Sequence, residues 1–382
     1  MNSLNLMEAS NQWANRPADQ RFETLAALRA SVHARRQRSR SIEVDLPRLK
    51  AESVDGELVV NSAIAPVTPT HWGFTQLAGW AGAPAGYLRK LPVDLAAQCL
   101  NDGIKNAQRE TLKFMTLANE GARGDLAAVT STQYGRIWDA DVIDAAARIV
   151  DRSGGKFHNP RAYLRDDRGM IARGEDGSLA TAPSGLYASD HDCFVFMIDG
   201  GSRLDVGPRA QLNRGFFMWN SEVGARSFGL TTFLFNEVCG NHIVWGAQNV
   251  NKLVIRHSSG GPYRFDSEVF PMLKQYAEAS AMPEVDAIKR AQVLSLRAAT
   301  NVDADVWRKD QAKVLASYTK ARGVTFTGSE IGNAIETANR EEGKCETAWD
   351  FIQGLTAYAR GFDFIDTRID LEKRAGQLLA TV

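Results

Sequence analysis

The sequence has no excess of either charge, because 45 lysines and arginines are balanced by 45 aspartates and glutamates. A protein that coats nucleic acid through its bulk charge is usually basic, so any DNA binding here must come from a local patch. No apolar run approaches the ~18–20 residues that span a bilayer. The first residues also lack the basic start and apolar run of a signal peptide. We therefore predict a cytoplasmic protein with no membrane partner.

Cysteine and histidine are scarce as well. The chain has six histidines and four cysteines, and the cysteines lie far apart, at Cys99, Cys193, Cys239 and Cys345. Without a C-x-x-C pair, neither a cysteine-rich zinc site nor a disulfide scaffold is indicated. There is no Walker A motif and no G-x-G-x-x-G after a predicted strand. We therefore expect no bound metal and no cofactor.

The residues that are present suffice for a large core, since 44% are hydrophobic and 9% aromatic. Periodicity divides the chain into three parts. Residues 1–110 contain a basic helix, a hairpin and a small helical unit, 111–260 a central α+β sheet core, and 261–382 a helical region. This order predicts an α+β fold, with a mixed or antiparallel β-sheet core, flanking helices and a C-terminal helical region.

Individual elements follow from local signals. Ser41–Leu46 and Glu57–Ile64 alternate in polarity and are separated by Asp55-Gly56, which favours a hairpin. The central sheet is predicted to begin with strands at Thr111–Ala118 and Asp125–Ser131. Beyond Pro262 every predicted element is a helix: Asp266–Ala281, Val285–Ala299, Asp303–Arg322, Ser329–Asn339, Thr347–Arg360 and Asp366–Leu379.

One run, Arg214–Gly246, holds much of the aromatic mass, and its second half reads as a buried strand. The polar loop Asn220–Gly224 precedes that strand, and two interpretations of it remain open. In the first it is a structural turn in which Asn220 and Ser221 cap backbone amides and Gly224 takes a left-handed conformation, with Glu222 paired to a nearby arginine such as Arg214 or Arg226. In the second it is a ligand-binding loop in front of an aromatic sheet.

A basic segment follows the first predicted helix. Between Arg29 and Lys50, seven arginines and lysines stand against two acids. Most short charge runs are solvated helix ends. Arginine side chains also bind phosphate through two parallel hydrogen bonds, so this segment could equally be an arm that faces phosphates.

Aromatic and basic residues alternate through the central run. Single-stranded nucleic acid is held by exposed rings beside a positive groove, and arginines that are hard to bury are the candidates to line such a groove. Together with the basic segment, this pattern predicts nine nucleic-acid-binding residues: Arg35, Arg36, Arg38, Arg40, Arg209, Arg214, Trp219, Arg226 and Arg256.

Carboxylates and imidazoles also occur around the central run, and together they are what a hydrolytic metal site uses. No pair of these residues shows a tight ligand spacing such as H-x-x-x-H. We therefore assign no catalytic residue and no metal ligand. If the protein is a metal-dependent nuclease, four residues are the candidates: Asp190, Asp192, Glu222 and His242.

The central run, written as rGf..wNSEvG.rs.gl.tFlf..VCgN..vWG, resembles the signature of domain of unknown function 932, a family of phage- and plasmid-borne proteins. Similar matches occur in order at Ala128–Ile143, Gly185–Asp199 and Thr347–Arg360. Many relatives carry CtNG where this chain has Cys-Gly-Asn-His at 239–242. The resemblance implies an accessory protein of a mobile genetic element, in a setting with single-strand-binding and recombination genes.

The predicted function is a non-enzymatic accessory factor of a phage or plasmid that binds or anneals single-stranded DNA as a homo-oligomer. An alternative from another class is a protein-interaction factor that counters a host defence system by contacting a host or phage protein. A metal-dependent nuclease is the third, so the sequence leaves open whether the protein is an enzyme.

Overall fold

The computed structural model describes residues 17–61, 65–107, 111–119, 123–163, 173, 181–183, 185–201, 204–206, 211–236, 242–244, 252–341, 343–359 and 365–382. It confirms the α+β class, because helices flank two mostly antiparallel sheets and make up the C-terminal region. None of the helices in these ranges is long and apolar enough to cross a membrane.

The described α-helices are α1 (Leu25–Arg38), α2 (His71–Trp80), α3 (Ala85–Leu88), α4 (Val93–Asn106), α5 (Asp139–Arg152), α6 (Gly261–Glu278), α7 (Met282–Val293), α8 (Leu296–Thr300), α9 (Ala304–Ala321), α10 (Gly328–Glu341), α11 (Ala348–Ala359) and α12 (Ile365–Ala380). The helices predicted beyond Pro262 are therefore confirmed, although the second is observed as two, α7 and α8.

The described strands are β1 (Ser39–Asp45), β2 (Lys50–Val54), β3 (Glu57–Asn61), β4 (Pro66–Pro69), β5 (Thr111–Leu117), β6 (Gly124–Ser131), β7 (Phe157–His158), β8 (Arg161–Tyr163), β9 (Thr181–Pro183), β10 (Leu186–Ala188), β11 (Cys193–Asp199), β12 (Leu204–Asp205), β13 (Gln211–Asn220), β14 (Phe228–Asn236), β15 (His242–Val244) and β16 (Lys252–Ile255).

The first sheet contains β1 to β6 in the order β1-β5-β6-β4-β3-β2. Neighbouring strands are antiparallel except for β4 and β6, which are parallel. The two end strands, β1 and β2, are separated in the chain only by a 3-10 turn at Leu46–Arg48 and by Leu49. This short connection brings the two ends of the sheet together, so the sheet curls into a barrel.

The barrel has a known topology. When β1 and β2 are counted as two halves of one bent strand, the strand order and the parallel pair are those of the five-stranded OB barrel. In that count β3 to β6 are the second to fifth strands. Helices α2 to α4 lie between the third strand, β4, and the fourth, β5. Leu100 and Ile104 of α4 pack with Val44, Leu46 and Val60 and so cover one end of the barrel core. A fold of this kind does not by itself determine a function.

Two strand assignments from the sequence need correction. The strands at 111–131 belong to the barrel and not to the central sheet, because β5 pairs with β1 and β6 pairs with β4. Ser41–Leu46 is not the hairpin partner of β3, since the Asp55-Gly56 turn joins β2 to β3. An alternating apolar strand is compatible with many partners, and pairing between distant segments leaves no local signal.

The second sheet has the order β10-β11-β13-β14-β15, and β16 lies along the other half of β14. One face carries Phe216, Met218 and Leu230 and packs against α1, α5 and α6. The opposite face carries a cluster of rings, here called the aromatic face: Tyr187, Phe194, Phe196, Phe217, Trp219 and Phe233. This sheet therefore has a helix-covered face and an aromatic face.

The C-terminal helices form a third core around one end of the second sheet. Trp349 and Phe351 of α11 pack with Leu315 of α9 and Leu378 of α12, and Leu234 of β14 belongs to the same cluster. The helical region is thus packed onto the sheet through β14.

Substitution of Phe114 tests the closed barrel core. The ring is completely buried inside the barrel, so Phe114→Ala leaves a cavity and should lower the free energy of unfolding by about 3–5 kcal/mol in urea denaturation. Tyr87→Ala is the control, because that ring is 61% exposed on α3. Its effect should stay within about 0.5 kcal/mol. A similarly small loss for Phe114→Ala would contradict a packed barrel.

Candidate functional site

The loop at 220–224 is a tight turn. The Ser221 hydroxyl accepts a hydrogen bond from the Ala225 amide at 2.8 Å and donates one to the His191 carbonyl at 2.6 Å. Gly224 has a φ of 88°, in the region that favours glycine. The features expected of a structural turn at Ser221 and at Gly224 are therefore confirmed. The expected cap by Asn220 is wrong, because its Nδ2 donates to the Ile137 carbonyl and to Asp139 and its Oδ1 accepts from no backbone amide in the described ranges.

Glu222 carries the buried charge of this turn. Its side chain is only 3% exposed, and its Oε1 accepts a hydrogen bond from Arg35 Nε at 2.7 Å. Arg35 also donates to the Asp190 carbonyl at 2.9 Å. The prediction that Glu222 pairs with an arginine is confirmed, but the partner is neither Arg214 nor Arg226, the two examples considered. The real partner comes from α1, a distant part of the chain that no local pattern links to the loop.

The second carboxylate oxygen of Glu222 serves the start of α5. Oε2 accepts a hydrogen bond from the Asp139 amide at 3.2 Å. The residue before the helix, Trp138, provides no side-chain cap. Helix N-termini favour negative charge and leave amides without intrahelical partners. Glu222 therefore caps α5 from another part of the chain.

A second carboxyl group lies beside Glu222. Asp139 is 2% exposed, and its Oδ1 accepts a hydrogen bond from Asn220 Nδ2 at 2.7 Å. Burial raises the pKa of Asp139 well above its usual value, and the negative charge of Glu222 raises it further. Protonation of Asp139 is therefore favoured by the same contacts that bury it beside Glu222.

A stack of rings and one cation flanks the turn. The Arg136 guanidinium lies 5.3 Å from the Tyr134 ring centroid and 5.5 Å from that of Trp138, and it donates to the Glu222 carbonyl. The Tyr134 ring also stacks on the imidazole ring of His257, with the ring centroids 5.0 Å apart. Burial and the charge of Arg136 lower the pKa of His257 to about 4. His257 is therefore a neutral packing partner near pH 7.

The turn also contacts the barrel. The Val223 side chain is fully buried among residues of β5 and β6, including Met115 and Leu117. Its carbonyl accepts hydrogen bonds from Trp72 Nε1 at 3.1 Å and from Gln76 Nε2 at 2.8 Å. The loop therefore connects α1, α5, the barrel and the second sheet. The described side chains of Asn220, Ser221 and Glu222 all form hydrogen bonds within the protein, although Asn220 Oδ1 is buried without a hydrogen-bond partner in the described ranges.

The predicted basic arm divides into two parts. Arg35 pairs with Glu222, and Arg36 pairs with Asp141 of α5 and lies 5.3 Å from the Trp138 ring centroid. Arg38 and Arg40 are exposed, and neither is paired with a carboxylate in the described ranges. Arg35 and Arg36 thus hold α1 against α5 and the turn, whereas Arg38 and Arg40 remain open to solvent.

One of the other predicted arginines, Arg214, does not contribute an exposed charge. Arg214 is 6% exposed, with its guanidinium 4.1 Å from the Tyr276 ring centroid, and it donates to the Ala279 carbonyl at 2.7 Å. It therefore packs between the sheet and α6. Arg209 lies outside the described residues.

Trp219 lies at one end of the aromatic face. It pairs with Gly229 of β14, and Gly229 in turn pairs with Val254 of β16. The indole lies against Gly229, because a Cβ there would come within 1.9 Å of a ring carbon. Phe217 stacks on it with centroids 5.3 Å apart. Trp219 is partly exposed while the five other rings of the aromatic face are buried, and Val254 is 43% exposed.

Arg226 and Arg256 lie at the same end of the sheet. The pair Phe228–Ile255 is the last of the β14–β16 ladder, and the two arginines lie just beyond it. Both are exposed, and within the described part of the chain neither is paired with a carboxylate. We call Trp219, Arg226, Val254 and Arg256 the sheet-end surface. Sequence reasoning missed Val254 and Gly229, although a glycine inside a strand is a signal of close approach.

The residues considered for a nuclease site have other partners. Asp190 accepts a hydrogen bond from His191 at 2.6 Å, Asp192 accepts one from Ser189, and Glu222 binds Arg35. For His242 only the backbone is described, in β15. In the ranges described, no three His, Cys, Asp or Glu side chains come together in a way that could hold a metal ion.

The barrel surface that binds ligands in many OB proteins is acidic here. That surface is formed by the second and third strands and the adjoining loops. Its described charges include Asp55 in the turn before β3 and Glu57 on β3, which lie 3.3 and 3.8 Å from Arg123. Two acids against one cation do not favour a phosphate backbone. The sheet-end surface is therefore the better candidate.

Comparison of the chain with protein-family models, curated proteins and solved structures finds no significant match. The resemblance to the phage and plasmid family stays a prediction.

The acid at Asp139 makes stability depend on pH. Its raised pKa means that the folded state binds the proton more tightly than the unfolded chain does. The resulting stabilisation is complete below the unfolded pKa of ~3.9 and is lost as the pH rises through the folded pKa. Asp139→Asn stays neutral and keeps an acceptor for Asn220. Its unfolding free energy relative to wild type should therefore increase as the pH is raised above about 4.

Urea denaturation of wild type and variant across this range measures the difference. Asp151→Asn is the matched control, because it makes the same change at an exposed position of α5. Parallel pH profiles for Asp139→Asn and wild type would contradict the raised pKa.

Proposed function

We propose that the protein binds single-stranded DNA at the sheet-end surface, with Trp219 stacking on a base and Arg226 and Arg256 contacting phosphates. The observation that carries the proposal is a partly exposed tryptophan that ends a row of buried rings, beside two exposed arginines without carboxylate partners in the described ranges. Stacking platforms next to positive charge are how proteins hold single strands without reading sequence.

The position of Trp219 supports stacking. Phe217 contacts one side of the indole and Gly229 lies beneath it, so the ring is fixed by the protein before a ligand arrives. A fixed ring loses little entropy when a base stacks on it. Val254, on the neighbouring strand, adds exposed apolar surface. Bases in a duplex are already stacked and paired, so a platform of this kind favours single strands.

The charges also fit. A chain with zero net charge cannot attract DNA through its bulk field. Two local arginines that form no ion pair in the described ranges supply a small positive patch at the platform. Arg38 and Arg40 are further exposed cations. Combined with the resemblance to phage and plasmid proteins, these features support an accessory factor that binds or anneals single strands, and we propose that it does so as a homo-oligomer.

Fluorescence anisotropy of labelled single-stranded and duplex oligonucleotides across a salt series tests the proposal. Trp219→Ala should weaken single-strand binding by about 1–3 kcal/mol, roughly 5- to 150-fold. Arg226→Ala/Arg256→Ala should also weaken it and should reduce the slope of log K against log salt by about 1.4, or 0.7 per lost phosphate contact. Duplex should bind more weakly than single strands throughout.

Two controls match these variants. Tyr87→Ala removes a ring that is 61% exposed on α3, and Arg297→Ala/Arg308→Ala removes two exposed arginines from the C-terminal helices. Both should bind like wild type. Absence of binding by the folded wild type at low salt would refute the proposal and direct the search to protein partners. Equal losses in the test and control variants would refute the assigned surface.

A further inference from the structure

A second cluster of arginines lies on the helix-covered side of the second sheet. Arg148 and Arg152 are one turn apart on α5, and their guanidinium carbons lie 4.0 and 5.0 Å from the ring centroid of Phe270 on α6. Both arginines are exposed, and Phe270 is partly buried against the core beneath. Two cations thus share one aromatic ring at the surface.

This arrangement is electrostatically unfavourable on its own. Like charges four residues apart on a helix repel each other. Two acids, Asp141 and Asp144, lie on the same side of α5 as the arginines, but both are already engaged by α1, because Asp144 pairs with Arg29 and His33, and Asp141 pairs with Arg36. In the described part of the chain no carboxylate, including nearby Asp151, forms an ion pair with either arginine. The charges of Arg148 and Arg152 are therefore not balanced by an ion pair in these ranges.

We propose that Arg148 and Arg152 bind a phosphate oxyanion. A phosphate between them would remove the repulsion and accept two-point hydrogen bonds from each planar guanidinium. Phe270 holds both groups by cation–π contact, so their positions are set before the ligand binds. Lys274, one turn further along α6, adds a cation that is only loosely paired, 4.0 Å from Glu278.

The phosphate could come from a free phosphate compound or from the backbone of a nucleic acid. The cluster lies on the opposite side of the sheet from Trp219, so it does not depend on the sheet-end surface. A short oligonucleotide bound at Trp219 need not reach it, whereas a long strand that passes around the sheet would.

The experiment uses inorganic phosphate as the probe, with the full chain at constant ionic strength. Phosphate in place of chloride should raise the melting temperature of wild type in a saturable manner. The rise should vanish in Arg148→Ala/Arg152→Ala, shrink in Phe270→Leu and persist in Arg297→Ala/Arg308→Ala. The melting temperature without phosphate shows that the double variant folds, and removal of the repulsion should leave it close to wild type.

Anisotropy with short and long single strands separates the two sources. If phosphate raises the melting temperature of wild type but the double arginine variant binds DNA as tightly as wild type, the ligand of this site is a free phosphate compound. If the double arginine variant shows a smaller slope of log K against log salt than wild type, and only with long strands, the phosphate that binds this site belongs to the nucleic-acid backbone. If phosphate does not stabilise wild type beyond chloride and the double variant binds long strands as its arginine control does, the proposed site is wrong. This result would leave Trp219-dependent binding of short strands untouched.

Discussion

The buried carboxylate of Glu222 is the constraint on which the rest of the structure depends. A charge removed from water is costly unless it is paired and hydrogen-bonded. Arg35 supplies the opposite charge, and the first amide of α5 supplies a hydrogen bond. Because these partners come from separate segments, satisfying one side chain fixes α1, α5 and the turn together. Val223, next in the chain, fixes the barrel to the same point.

This arrangement determines which surface remains for a ligand. The loop at 220–224, for which the sequence left a ligand-binding role open, joins α1, α5 and the barrel through Glu222 and Val223. The barrel surface that OB proteins commonly use carries two acids, Asp55 and Glu57, beside Arg123. The sheet-end surface, with Trp219 beside Arg226 and Arg256, keeps both an accessible ring and unpaired charge within the described ranges. We therefore propose the sheet-end surface, and not the loop at 220–224, as the binding site.

The sequence predicts local features of this protein well and long-range features poorly. The C-terminal helices follow from 3.6-residue periodicity, and the strand from Phe228 follows from its apolar run, since both signals are local. The pairing of β5 with β1 and the contact between Glu222 and Arg35 join distant segments, and periodicity contains no information about them. The sequence also does not predict which rings are exposed. Trp219 is partly exposed and Phe217, two residues earlier on the same face, is buried, yet no local pattern distinguishes them.

A double-mutant cycle on Arg35 and Glu222 tests the central claim most directly. Each single change to Ala leaves a buried charge or polar group without its partner and should cost about 3–5 kcal/mol in urea denaturation. The double variant removes both charges, so its loss should be smaller than the sum of the two single losses by roughly 1–3 kcal/mol. Losses that add to within about 0.5 kcal/mol would contradict the claim that this ion pair joins the parts of the protein.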